Sequence, residues 1–346
     1  MVPITLTLTR PDDWHLHLRD GELLRRVVHD SARRFARAII MPNLPVPVTT
    51  TELARHYRER ILAAVPAECD FQPLMTLYLT DETSPAEIAA AQASGIIQGV
   101  KWYPAGATTN SQFGVSDVTR CHPALAAMES LGMPLLIHAE TTDSRVDVFD
   151  CEAVFLDRQL VPVLRRFPGL RVVIEHVTTA QAVQFVRDAS PHVGATITVH
   201  HLLLNRNALF EGGLRPHHYC RPVLKREQHR QAVLEAAISG HPRFFAGTDS
   251  APHLRRDKES ACGCAGIYTA HAALELYAEV FEQGSALERL EGFVSFHGPD
   301  FYGLPRNSTQ ITLEKEPWIV PNSILVGDDH LIPFRAGETV QWRLVD

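Results

Sequence analysis

The sequence predicts an α/β protein built as a (β/α)8 TIM barrel, with a short N-terminal strand ahead of the barrel and a small C-terminal extension behind it. Three observations carry that prediction. Short β-rich runs alternate with helical runs almost from end to end, which is the pattern of a parallel sheet covered by helices. Several of the strand runs are continuously apolar, as strands buried on both faces must be. Eight such units fill about 250 residues, the usual measure of this barrel. A doubly wound open sheet is the alternative architecture.

Ahead of the barrel, "ITLTLT" (4–9) alternates as a strand and is expected to pair at the barrel's bottom or edge. The eight barrel strands are expected at 13–17, "ARAIIM" (36–41), "FQPLMTLYL" (71–79), "IIQGVKWY" (96–103), "MPLLIHAE" (133–140), "LRVVIEHV" (170–177), "GATITV" (194–199) and "RFFAGTDS" (243–250). Helical patterns lie between them. Leu23, Leu24, Val27 and Val28 precede Arg33, and Leu53, Tyr57, Ile61 and Val65 recur every four residues after a capping box from Thr49 to Glu52. From about residue 286 the chain is turn-rich, with one more strand pattern at "ETVQWRLV" (338–345). No linker, repeat or low-complexity stretch divides it, so residues 1–346 are expected to form a single domain.

Composition narrows the function. The 346 residues are 45% hydrophobic and 21% charged, enough to bury a large core. A net charge of −7 offers no basic footprint for nucleic acid or an anionic membrane, which leaves a small molecule as the expected partner. Neither a secretory leader nor an apolar run of about 18 residues is present, so the expected location is the cytoplasm. Six scattered cysteines (Cys69, Cys121, Cys151, Cys220, Cys262, Cys264) fit reduced thiols better than a disulfide framework, and "CGC" at 262–264 reads as a packed loop.

The polar residues that interrupt the strands share one position, the C-terminal end of each run. His15 and His17 close the first strand, Asn43 follows the second, Lys101 sits late in the fourth, His138 and Glu140 close the fifth, His176 the sixth and Asp249 the eighth. In a (β/α)8 barrel these ends open onto the face where active sites are built. Eighteen histidines would produce about one His-x-His by chance, so "DWHLHLRD" (13–20) alone decides nothing. The spacing of the set decides more: 37 residues from Lys101 to His138, 38 from His138 to His176 and 73 from there to Asp249, or one, one and two βα units. Two imidazoles at i and i+2 on a strand point to one side about 7 Å apart, while Leu16 and Leu18 face the helices. Nitrogen and carboxylate donors without thiolates suit Zn²⁺, and a water activated at an open coordination position is the signature of a hydrolase.

With those residues assembled, the chain resembles the dihydroorotases of the amidohydrolase superfamily, most closely the monofunctional bacterial type. The likeness runs end to end through "DWHLHLRDG" (13–21), "MPNLPVPVTT" (41–50), "GVKWYPAGATTNS" (99–111), "IHAE" (137–140), "EHVTT" (175–179), "RPHHYCRPVLKR" (215–226) and "GTDSAPH…KES…CGCAG" (247–266). The resemblance implies two zinc ions per subunit: His15, His17 and Asp249 on one, His138 and His176 on the other, and Lys101 bridging them as a carbamate (N6-carboxylysine). It implies reversible cyclisation of N-carbamoyl-L-aspartate to L-dihydroorotate in pyrimidine biosynthesis, by a metal-bridging hydroxide with Asp249 as general acid and base. Arg19, Asn43 and His253 would hold the substrate carboxylate, and the backbones of Ala265 and Arg221 would contact the ring. Arg221 departs from the apolar residue usual there. Loop 103–114 would act as a lid, with Thr108 and Thr109 on the substrate. A homodimer is implied too.

Two competing readings keep the fold. Hydantoinase-like or allantoinase-like hydrolases would change the ring, but Arg19, Asn43 and His253 fit a substrate that carries a carboxylate. A relative surviving as a structural partner of other enzymes would have lost ligands, whereas all six metal positions here hold competent residues.

Overall fold

A computed structural model describes residues 4–345. Among them, eight parallel strands follow one another around a single sheet in chain order. After β1 (Thr5–Thr9), the barrel strands are β2 (Asp12–Leu16), β3 (Arg37–Ile40), β4 (Gln72–Tyr78), β5 (Ile97–Trp102), β6 (Leu135–Ile137), β7 (Val172–Ile174), β8 (Val193–Ile197) and β9 (Phe244–Ala246). All eight predicted strands are present, most with tighter bounds. Asp249 N donates to His15 O at 2.9 Å and His17 N to Ser250 O at 3.2 Å, which draws the last strand to the first and shapes a TIM barrel.

Two apolar layers hold it. Leu16, Leu18, Ile40 and Ile137 join the large cluster between strands and helices, as expected for the first two, whereas Trp14, Ile39, Leu74, Leu136, Val173 and Phe245 form a second cluster. Trp14 stacks on Tyr302 at 4.5 Å and meets Phe245 edge-on at 6.2 Å. Tyr302 ends the helix His297–Tyr302, packed beneath the strands. A Cβ at Gly298 would fall 1.9 Å from Trp14 Nε1, so only glycine lets this helix approach.

Helix α1 (Gly21–Arg34) starts on the Asp20 side chain, which accepts from Gly21 N, and buries Leu24, Val27 and Val28. Helix α2 (Thr51–Ala64) differs from the prediction by one residue. Its cap is Thr50 rather than Thr49, and its buried face is Ala54, Tyr57 and Ile61 while Leu53 is exposed. Thr51 N and Oγ1 both donate to Glu87 Oε1, at 2.6 and 2.7 Å, and this long-range anchor fixes where the helix begins.

The N-terminal strand does find a partner, but outside the barrel. β1 pairs antiparallel with β10 (Gln310–Glu314), which also pairs with the final strand at Arg343–Leu344. The predicted strand at 338–345 is broken in two, Thr339–Val340 and Arg343–Leu344, around a fully buried Trp342 whose Nε1 donates to Glu282 Oε2 at 3.2 Å.

Candidate metal centre and active site

The barrel brings the predicted residues to one end. His15 lies on β2 and Lys101 on β5, but His17, His138, His176 and Asp249 stand one to three residues past their strands rather than on them. The backbone turns sharply there: His176 and Asp249 have φ of 41° and 43°, and Arg19 has 58°. Bulky residues seldom occupy this left-handed region, and such strain persists where surrounding contacts enforce it. Here His176 N donates to Thr196 Oγ1 at 2.7 Å, and Asp249 N to His15 O. The pairing of β2 with β3 is irregular between Asp13 and Leu16, and such a bulge re-aims side chains, so Trp14 packs in the inner cluster while His15 reaches the cavity. Gly247 leaves room for it, since a Cβ there would sit 3.0 Å from His15 Cβ.

Donor geometry tests the site for a metal. His15 Nε2 and His17 Nε2 are 3.2 Å apart, and Asp249 Oδ1 lies 3.3 and 3.1 Å from them. Those are about the edges of a tetrahedron around an ion with bonds near 2.0 to 2.1 Å. Two bare ring nitrogens and a carboxylate oxygen at such distances repel unless a cation or proton joins them. His15 Nδ1 is engaged by Glu175 Oε2 at 2.7 Å and His138 Nε2 by Glu140 Oε2 at 2.8 Å, which leaves His15 Nε2 and His138 Nδ1 as the bare nitrogens when the rings are neutral. The imidazoles run as a chain, His17 to His15 at 5.2 Å between ring centres, His15 to His176 at 4.9 Å and His176 to His138 at 4.9 Å. His176 Nδ1 and Lys101 Nζ are buried without hydrogen-bond partners among the described residues. The residues fit a metal centre.

Electrostatics agree. Burial holds the His176 imidazole well below its ordinary range and brings His17 down to about 3, so both are neutral and ready as ligands. Burial also lowers the Lys101 ammonium to about 8, toward the free amine that carbamate formation needs. Against burial, Glu175 and Asp249 raise the His15 imidazole, and its charge, with hydrogen bonds from His15 and His17, keeps the Asp249 carboxyl well below the usual range, so positive charge is favoured among these groups.

A small cavity opens beside these groups, lined by His15, His17, His138, His176 and Asp249 together with Arg19, Asn43, Thr108, Thr109, Arg221 and Ala265. Thus the predicted substrate residues converge with the metal residues. His253 stands apart from that wall: its Nε2 is 2.8 Å from Arg19 Nη2 and 3.0 Å from Ala265 O, so it touches the cavity through its neighbours. The 103–114 loop is docked rather than loose. Asn43 Nδ2 donates to Thr109 O at 3.0 Å, Asn110 Nδ2 to Asn43 O at 2.9 Å and Thr109 Oγ1 to Ala265 O at 3.4 Å.

Several site residues escaped the sequence reading. Glu175 is a buried carboxylate whose only signal was its place directly before His176. Tyr103 lines the cavity with a buried hydroxyl that has no partner among the described residues. Lys258 donates to the carbonyls of Tyr219, Cys264 and Gly266 at 2.7 to 2.8 Å, pinning together the two loops that carry Arg221 and Ala265. Asp13 accepts from His15 N, Thr248 N and Thr248 Oγ1, tying the first strand to the segment before Asp249.

Known proteins match this chain over nearly its whole length. The model of the amidohydrolase family matches residues 6–330. A dihydroorotase of Nitrosomonas europaea is 67% identical over 341 residues, covering 98% of each chain. Among solved structures, a dihydroorotase from Campylobacter jejuni superposes with a TM-score of 0.92 at 36% identity, covering 100% of this chain and 99% of its own. A Saccharomyces cerevisiae dihydroorotase, in complex with 5-fluoroorotic acid, does so with a TM-score of 0.91 at 33% identity, covering 99% and 98%. Together with the converging histidines, lysine and aspartate, these matches show that the chain belongs to the amidohydrolase family, in its dihydroorotase branch.

Proposed function

We propose that the protein interconverts N-carbamoyl-L-aspartate and L-dihydroorotate in pyrimidine biosynthesis, as a cytoplasmic homodimer of single-domain subunits. The observation that carries this reading is one cavity whose lining joins a metal-competent cluster to the guanidinium of Arg19, a group suited to a substrate carboxylate. His15, His17 and Asp249 would hold one zinc ion and His138 and His176 a second, with carbamylated Lys101 between them. When bound, the metals supply the Lewis acidity that makes water nucleophilic near neutral pH and polarises the amide carbonyl.

The remaining work belongs to the chain. Asp249, buried and held as a carboxylate, takes a proton from the attacking water and returns it to the ring nitrogen as the amide C–N bond breaks; ring closure runs the same steps backward. Arg19, backed by His253, offers a planar fork to the substrate carboxylate beside Asn43. Backbone groups of Ala265 and Arg221 support the ring. Thr108 and Thr109 close over it and exclude water.

Elemental analysis joined to an assay of both substrates tests this. Two zinc equivalents with interconversion of the pair are expected, and a zinc-edge diffraction map would show the ions and the group on Lys101. A zinc-loaded protein that hydrolyses hydantoin or allantoin instead would move the reading to those rings, and a protein with neither metal nor turnover would leave only a structural role.

A further inference from the structure

Arg221 is the second guanidinium on the cavity wall, and the reading above uses only its backbone. Its Nε donates to the Tyr219 hydroxyl at 3.3 Å, and its Nη1 stands 3.8 Å from Glu140 Oε1, too far for a hydrogen bond. Glu140 cannot neutralise it alone. The same carboxylate bonds His138 Nε2 through its other oxygen, and the buried Lys225 also acts on its charge. Glu140 thus shares its charge among several partners, and the Arg221 guanidinium reaches the cavity without a hydrogen-bonded carboxylate, next to the His138 end of the imidazole chain.

The two partners of the reaction differ in charge at that point. Water adds to the ring carbonyl, the C–N bond breaks, the nitrogen keeps its electron pair and gains a proton, and the new carboxylic acid releases a proton to solvent. The ring form therefore carries one carboxylate at neutral pH and the open chain two. Arg19 answers the carboxylate they share; the added one forms at the carbonyl that bound metals would polarise, on the His138 side that Arg221 adjoins through Glu140. Resting on the dihydroorotase reading, we propose that the Arg221 guanidinium recognises the added carboxylate, so that the site holds the open-chain dianion more tightly than the ring.

Kinetics in both directions separate this from a structural role. The overall equilibrium constant fixes the ratio of the two kcat/KM values, so any substitution must change both by one factor, while the two KM values are free to diverge. In zinc-loaded holoenzyme, R221M is expected to raise KM for carbamoyl-aspartate about tenfold relative to KM for dihydroorotate, with R221K restoring most of the difference. R221Q gives the same readout if R221M fails to fold. If both KM values move together, or neither moves, the proposal is overturned. Wild-type protein that fails to interconvert the pair overturns the functional reading instead, whereas active wild type with unsplit KM values in the variants overturns the role of Arg221 alone.

Discussion

Glu175 Oε2 accepts the Nδ1 proton of His15 at 2.7 Å, and both side chains are almost wholly removed from solvent. The same oxygen accepts from Thr196 Oγ1 at 2.6 Å, and that hydroxyl receives His176 N at 2.7 Å. One carboxylate thus sets the His15 tautomer and, through a threonine, the strained backbone of His176. Outer partners of this kind are worth about 10- to 100-fold in metal affinity. E175A is expected to weaken zinc binding by that factor in competition with a chromophoric chelator. Unaltered affinity would show that packing alone positions His15.

Asp249 carries two duties in the proposed reaction, and one substitution separates them. D249N keeps an oxygen near His15 and His17 but cannot accept a proton. The variant is expected to lose about 10²- to 10⁴-fold in kcat, the range of general acid and base catalysis, with zinc largely retained. Substantial residual turnover would remove the proton shuttle from the mechanism.

The 103–114 loop meets the cavity through Thr108 and Thr109, and Asn43 and Ala265 hold it from the facing side. Replacing both threonines by alanine deletes two hydroxyls, each worth about 0.5 to 1.5 kcal/mol in a neutral hydrogen bond. Turnover is expected to fall roughly tenfold or more, with unchanged zinc content. Wild-type kinetics in the double variant would make the loop a connector.

Much of this was legible because the barrel converts chain spacing into convergence. His138, His176 and Asp249 kept the phase of the βα units, and the strands were bounded by Gly, Pro and polar residues on both sides. What stayed hidden depended on contacts across the sheet. Glu175 and Asp13 read as ordinary acids until the barrel folds them against His15 and Thr248. The capping-box pattern favoured Thr49, with Glu52 three residues on, and the carboxylate of Glu87, 36 residues from Thr51, shifted the start to Thr50. His176 and Asp249 could not be placed past their strand ends, since a left-handed φ at a bulky residue has no local signature.

His271 lies away from the metal centre and shows how burial couples stability to pH. Its ring is 5.5 Å from that of Tyr268, and burial, with Arg34 nearby and with Asp30 and the Phe334 backbone opposing, lowers it to about 3. An unfolded histidine titrates near 6.5. Above that value neither state binds the proton and the ring costs nothing; as pH falls toward the folded value the unfolded chain takes up the proton and the folded one does not, so stability is lost. The linkage is about 1.4 kcal/mol per pH unit, or roughly 2 to 3 kcal/mol between pH 6.5 and 4.5. H271F removes this proton and preserves the aromatic contact. Urea denaturation of both proteins should show the variant gaining on wild type by that amount as pH falls across the window, a difference in which acid release of metal and titration of every other group cancel. A difference independent of pH would mean that the folded protein admits the proton at His271.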